Sequence, residues 1–278
     1  MSAGRILDTG MTYLILLAVA FVFFFPCLWL ILASFSKSGT IYSFDGFFPA
    51  GYSLASFKRL FTDTALYNYP RWFANTLFVA AGSCILGTFL VILTAYTMSR
   101  FTFAARKPMM KITMVLGMFP SFMGMIAVYL LMTQFNLINH LWGLILIYSA
   151  GAPMGYLTQK GFFDTIPKAI DEAARIDGCG YVQTWMKVIF PIARPGIMTA
   201  AVLAFLNNWN EYYWASLVLI TREKLTVPAL LSTFTTAFNT NYNGLFSAMV
   251  IIILPPVLLY CIFSRFFIEA LSGGAVKG

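Results

Sequence analysis

Two polar stretches interrupt an otherwise apolar chain. The first, Asp171-Glu172-Ala173-Ala174-Arg175-Ile176-Asp177-Gly178, lies in a charged loop at about 160–195. Its residues suit docking. Ala173 and Ala174 are small enough to let a partner approach the backbone, and Glu172, Arg175 and Asp177 supply polar contacts at the rim of such a contact. The second stretch is Asn207-Asn208-Trp209-Asn210-Glu211-Tyr212-Tyr213-Trp214. Amides and a carboxylate hydrogen-bond hydroxyl groups, and an indole stacks on an apolar ring face. Nowhere does a nucleophile stand with a plausible base, so covalent catalysis is not expected.

Helices must position both sets. In the loop, Thr165 is expected to cap a helix whose first turn tolerates Pro167, with Ile166, Ile170, Ala173 and Asp177 on one side. Gly178 should end that helix, because the residue after a helix often adopts a left-handed conformation that suits glycine. A second short helix is expected from Tyr181, stopped by Pro191. A helix resting on lipid headgroups would favour Lys and Arg on its polar face, whereas this one carries Asp171, Glu172 and Asp177. That mismatch favours docking to a soluble partner. In the second stretch, Asn207, Asn210, Glu211 and Trp214 recur at i, i+3, i+4 and i+7, which would set them on one helical face. An acidic side chain at the centre of a membrane span costs on the order of 2.5–3.5 kcal/mol on insertion scales, so Glu211 should face a cavity or a neighbouring subunit. Two placements stay open: a face lining a polar passage, with Asn207 deepest, or the outer membrane interface, where Trp and Tyr collect.

Composition identifies the solvent. Hydrophobic residues make up 60% of the chain and charged residues 10%, with a mean hydropathy of +0.79. A soluble domain carries about 25% charge, so this chain belongs in a bilayer. A hydrocarbon core about 30 Å thick needs about 20 apolar residues in helical form. Six stretches are candidates, at about 11–33, 73–97, 110–132, 142–157, 196–220 and 244–267, with a tail at 268–278. Gly151, Pro153 and Gly155 interrupt the fourth, Pro120 should kink the third, and Pro255-Pro256 the sixth. The Gly151/Gly155 spacing would permit close helix contact. The first stretch lacks a small-residue cleavage pattern and reads as a retained span. The fold expected is an all-α, polytopic transmembrane bundle of six spans forming a single transmembrane domain over 1–278.

With six spans both termini share a side. Of the eighteen Lys and Arg, only Lys37, Lys58, Arg59, Arg71, Arg222 and Lys224 fall on the other side. The positive-inside rule then places the termini, and the charged loop with them, in the cytoplasm. The net charge of +8 is an orientation signal and gives no reason to invoke nucleic acid. On the outside, residues 34–72 are expected to form a small cap with a short helix near 53–62. Cys27, Cys84, Cys179 and Cys261 show no metal or disulfide spacing and read as small apolar packers. His140 stands without a second ligand nearby. A phosphate-binding loop would need GxxxxGK followed by Ser or Thr; Gly82 to Gly87 followed by Thr88 has no lysine and lies in a span.

Glu172-Ala173-Ala174, Asp177-Gly178 and Phe190-Pro191 resemble the EAA loop of inner-membrane permeases of ATP-binding-cassette importers. Asn75-Thr76-Leu77, Ala95-Tyr96, Ser99-Arg100-Phe101 and Gly161-Phe162-Phe163 extend the likeness along most of the chain. The ending Leu271-Ser272-Gly273-Gly274-Ala275-Val276-Lys277-Gly278 is similar to the tail of the maltose-permease type of carbohydrate importer, although many relatives read Leu-Thr-Ala where Leu271-Ser272-Gly273 stands.

The resemblance implies a type I importer permease in a bacterial cytoplasmic (inner) membrane. Its partners would be a second homologous permease, an ATPase subunit dimer, an extracytoplasmic sugar-binding protein, membrane lipid and the carbohydrate itself. ATP and Mg would be bound by the ATPase subunits, with no cofactor on this chain and no enzymatic activity of its own. Ile170, Glu172, Ala173, Ala174, Arg175, Asp177, Gly178 and Pro191 would couple the ATPase to the spans through a coupling helix, driving alternating access. Gly274, Lys277 and Gly278 would reach the ATPase interface from the tail. The substrate pathway would involve Asn207, Asn210, Glu211 and Trp214. Glycerol phosphate or another non-sugar solute stays open as cargo, and an ion-coupled secondary transporter remains the rival class.

Overall fold

A computed structural model of the protein describes residues 3–37, 44–45, 48–63, 68–150, 153–231, 234 and 241–275. Four helical runs are long and apolar enough to cross a membrane: 9–34, 69–100, 181–209 and 242–268. Two bent pairs bring the count to six if each pair is one span. The molecule is an all-helical membrane bundle.

The elements in chain order are α1 (Ala3–Ser34), α2 (Ala55–Thr62), α3 (Tyr69–Arg100), α4 (Arg106–Gly117), α5 (Met125–Gln134), α6 (Leu141–Ala150), α7 (Pro153–Asp164), α8 (Lys168–Ile176), α9 (Tyr181–Thr184), α10 (Phe190–Trp209), α11 (Tyr213–Val218), α12 (Val227–Leu231) and α13 (Tyr242–Ala275). At 1.5 Å per residue the 32 residues of α3 extend about 48 Å, well beyond a hydrocarbon core of about 30 Å. Its last turn, with Ser99 and Arg100, is therefore available to the polar loop.

The chain forms two compact units, Met1–Pro70 with Leu230–Leu254 and Arg71–Ala229 with Pro255–Gly278. In the first, Trp29 of α1 meets Phe246 edge-on at 5.7 Å, and the Ser247 hydroxyl donates to Ser34 O (3.2 Å). The connection after α1 carries a two-residue antiparallel pairing, Phe44–Asp45 with Phe48–Pro49, ahead of α2. Most side chains of α1 are exposed, Phe23 at 73%, which costs nothing where lipid replaces water.

The second unit has two apolar clusters. One joins Ile92, Tyr96, Tyr156, Phe163, Ile166, Ile189 and Ile197 near the polar loop. The other joins Val79, Met132, Leu144, Ile145, Ala215 and Val218. Helices approach closely where side chains are absent: a Cβ at Gly196 would lie 2.7 Å from the Phe162 ring.

Several elements depart from the periodicity reading. The third apolar stretch breaks after Gly117 and resumes beyond Pro120 at a 93° bend. Pro255 and Pro256, by contrast, sit inside an uninterrupted α13. That helix also takes in residues 268–275, so most of the expected tail is its last turns. The fifth stretch stops at Trp209 and restarts at Tyr213. Pro191 does not stop a helix. A π-helical turn over Trp185–Ile189, in which Phe190 N–H bonds Trp185 O, joins α9 to α10 and places Pro191 in the first turn of α10, where no N–H is needed. Cys27 and Cys261 are exposed rather than packed. Gly151 lies outside the described residues, so the Gly151/Gly155 contact does too.

Candidate functional site

The loop helix α8 begins after Pro167, which holds an extended ψ of 134° and occupies the capping position. The Thr165 hydroxyl donates back to Phe162 O at 2.7 Å, closing the end of α7. At the other end Gly178 adopts φ +84°, with its N–H on Arg175 O (3.1 Å) and Cys179 N–H on Ala174 O (3.0 Å). This pair of bonds around a left-handed glycine is a Schellman stop, and it satisfies two carbonyls that the helix end would leave free.

Two tethers fix α8 to its surroundings. Arg100, at the end of α3, places Nε 3.1 Å from Asp171 Oδ2, an ion pair between side chains only 6% and 15% exposed; the contact is electrostatic rather than an aligned hydrogen bond. The same guanidinium donates to Ile166 O at 3.0 Å, just ahead of α8. Arg175 donates to the Tyr181 hydroxyl, and its guanidinium carbon lies 4.3 Å from the Tyr181 ring centroid. Beneath them, the Trp185 ring packs on Tyr96 (4.6 Å) and Phe163 (5.7 Å), so the loop rests on an aromatic floor continuous with the bundle.

The expected docking residues therefore divide. Glu172, Ala173, Arg175, Asp177, Gly178 and Pro191 are exposed, and Ile176 is 86% exposed. Ile170 is half-buried and packs against the apolar cluster near the loop. Ala174 is largely buried and borders, with Ile170, Ala173, Asp177 and Val188, an open surface groove along α8, whose inner side runs through Ile166, Ile170 and Ala174 at four-residue spacing. Gly274 lies in the last turn of α13, while Lys277 and Gly278 fall outside the described residues.

The second stretch does not form one helical face. Asn210 ends α10 and its amide donates to Leu206 O (2.9 Å). Glu211 follows in non-helical backbone, and its carboxylate accepts the N–H groups of Trp214 (3.1 Å) and Ala215 (3.3 Å) at the start of α11, together with the Tyr148 hydroxyl (2.6 Å). A half-buried carboxylate gains from such donors, and breaking the helix provides them.

Asn207 remains as a lining residue. It borders a cavity of about 410 Å³ walled by α3, α6, α7 and α10. Asn208 lies on the same cavity, donating to Ser83 Oγ (2.9 Å) across to α3. Ser83, Tyr148, Ser149 and Gln159 complete its polar wall, and Glu211 and Trp214 are not among the lining residues. Sequence reasoning named Asp171 and Arg100 but missed their pairing, and it missed the α3, α6 and α7 contributors to the cavity. The four-residue spacing of Tyr96 and Arg100 at a span's end is the signal that points to the first tether; nothing in one sequence indicates which small polar residues converge from separate helices.

These features define an integral membrane helical bundle with a half-open, largely apolar groove that carries several polar side chains, and an exposed helix tethered beside the bundle. The chain belongs to the family of binding-protein-dependent transport system inner membrane components, whose model matches residues 84–273. It is 32% identical to the maltodextrin transport system permease protein MalD of Streptococcus pneumoniae, over 99% of this chain and 97% of that one. It is also 32% identical to the maltodextrin transport system permease protein MdxG of Bacillus subtilis, over 100% and 99% of the two chains. The fold matches a chain of a bacterial ABC transporter involved in import of the acidic polysaccharide alginate, with a TM-score of 0.82, 20% identity, and 96% and 99% of the two chains covered.

Proposed function

We propose that the chain is the permease subunit of an ATP-driven, binding-protein-dependent carbohydrate importer, with both termini and the α8 loop in the cytoplasm. It forms half of a translocation pathway with a second homologous permease, above a dimer of ATPase subunits that hold ATP and Mg. A binding protein delivers the sugar from outside. The observation that carries this reading is α8 itself: nine residues stopped by Gly178, tethered through Arg100–Asp171 and Arg175–Tyr181, and presenting Glu172, Ala173 and an exposed Ile176 outward. A helix fixed at both ends transmits displacement to α3 and α10 instead of absorbing it. Closure of the ATPase pair on nucleotide would move α8 and tilt the spans between inward-open and outward-open arrangements. The names of the maltodextrin permeases support a saccharide cargo.

The test is reconstitution of the complete transporter in proteoliposomes with external binding protein. ATP-dependent accumulation of an oligosaccharide, lost with Glu172→Ala in a complex that still assembles, is the expected result. Accumulation driven by an ion gradient without ATP would favour a secondary transporter.

A further inference from the structure

The cavity between α3, α6, α7 and α10 contains a polar group whose state the fold does not account for. Gln159, on the turn of α7 next to Lys160, is 4% exposed, yet its Nε2 has no hydrogen-bond partner among the described residues. A buried amide donor left unmet costs about 1–3 kcal/mol, whereas an apolar residue of similar size would cost nothing. A polar group kept under that penalty, on the wall of a cavity, is placed to be satisfied by what enters the cavity.

The rest of the lining limits what that is. Asn207, Asn208, Ser83 and Thr199 add neutral polar groups, and Phe162 and Leu203 add apolar surface. Among the described residues, no acidic side chain, lysine or arginine borders it. A phosphate or carboxylate would find no counter-charge there, and desolvating it would be costly. A neutral polyhydroxylated solute fits both features: its hydroxyls meet the amides, and its C–H faces lie on Phe162 and Leu203.

We propose that Gln159 is a specificity-determining contact of the pathway within this subunit, its Nε2 donating to an oxygen of a neutral saccharide on the α7 side of the cavity. The inference rests on the carbohydrate-importer reading and deepens it, by naming a neutral saccharide contact on this subunit's side of the pathway.

The experiment uses the complete reconstituted transporter and a panel of neutral oligosaccharides (maltotriose, a galactotriose, an arabinotriose and diacetylchitobiose) beside glycerol 3-phosphate. For the saccharide that wild type accumulates, uptake of its monodeoxy analogues is compared between wild type and Gln159→Leu. Loss of one hydrogen bond predicts that wild type discriminates against one analogue by roughly 3- to 10-fold in kcat/KM. Gln159→Leu should lower uptake of the parent sugar by a similar factor and abolish that one discrimination, with the melting temperature of the complex unchanged or raised. Parent-sugar uptake unaltered by Gln159→Leu, a discrimination pattern that survives the change, or a lowered melting temperature would overturn the assignment while leaving the importer reading intact. ATP-driven uptake of glycerol 3-phosphate with none of the saccharides would instead sink the reading on which it rests.

Discussion

Gly178 allows the lever argument to be graded rather than merely broken. Its φ of +84° is a conformation that glycine adopts freely, and a Cβ built there meets nothing within 4 Å. Substitution therefore isolates backbone strain from steric clash. Alanine in the left-handed region costs about 1–2 kcal/mol, and asparagine less, because its side chain tolerates that region. Proline cannot reach a positive φ and removes the N–H now on Arg175 O, a cost of about 3 kcal/mol or more. A penalty of 1–2 kcal/mol changes the ratio of formed to frayed last turn by about 5- to 30-fold. Only the loop feels it, so the complex should still assemble. Sugar accumulated per ATP hydrolysed in proteoliposomes, with subunit co-purification as control, should fall in the order Gly178, Gly178→Asn, Gly178→Ala, Gly178→Pro. Wild-type coupling in Gly178→Pro, or alanine outperforming asparagine, would refute the claim that a stiff helix end transmits the motion.

Other expectations follow from single contacts. Arg100→Met should strand a mostly buried Asp171 and lower stability by about 3 kcal/mol, with Asp171→Leu in the same chain restoring more than half of the lost melting temperature. Glu211→Leu removes the acceptor for Tyr148 and the α11 N–H groups and should cost about 2 kcal/mol in a thermal melt; a drop no larger than that of Tyr148→Phe would mean the α11 contacts add nothing. Asn207→Leu should impair saccharide uptake while Asn210→Leu, whose amide serves its own helix end, leaves it near wild type; equal loss from both would restore the one-face arrangement. Gly196→Val should be destabilised by about 1–3 kcal/mol through the Phe162 ring, and a neutral melt would show that α7 and α10 separate easily.

The all-helical membrane class was legible because bilayer solvation is a strong and local constraint: apolar length alone points to the four long helices. Gly178 was legible for a similarly local reason, since helix termination by a left-handed residue needs only a few neighbours. Where the reading departed, a non-local partner decided. Helical periodicity placed Glu211 beside Asn207, but the donors that satisfy its carboxylate come from Tyr148 and from a broken helix, which the period of one segment does not encode. Pro191 was expected to end a helix; the preceding π-turn accommodates the missing N–H. The cavity draws one or two residues from each of four helices, so no stretch of sequence carries its signature.

The central claim is that α8 meets the ATPase, and proximity tests it most directly. In a chain whose four native cysteines are replaced by serine, Ile176→Cys would place the one thiol at the most exposed large apolar side chain of the loop. A short bifunctional reagent should link it to the ATPase subunit of the assembled transporter, with a yield that changes when nucleotide binds. An Ile176→Cys chain that is labelled by small thiol reagents in the intact, transporting complex yet never captures the ATPase in any nucleotide state would contradict the account.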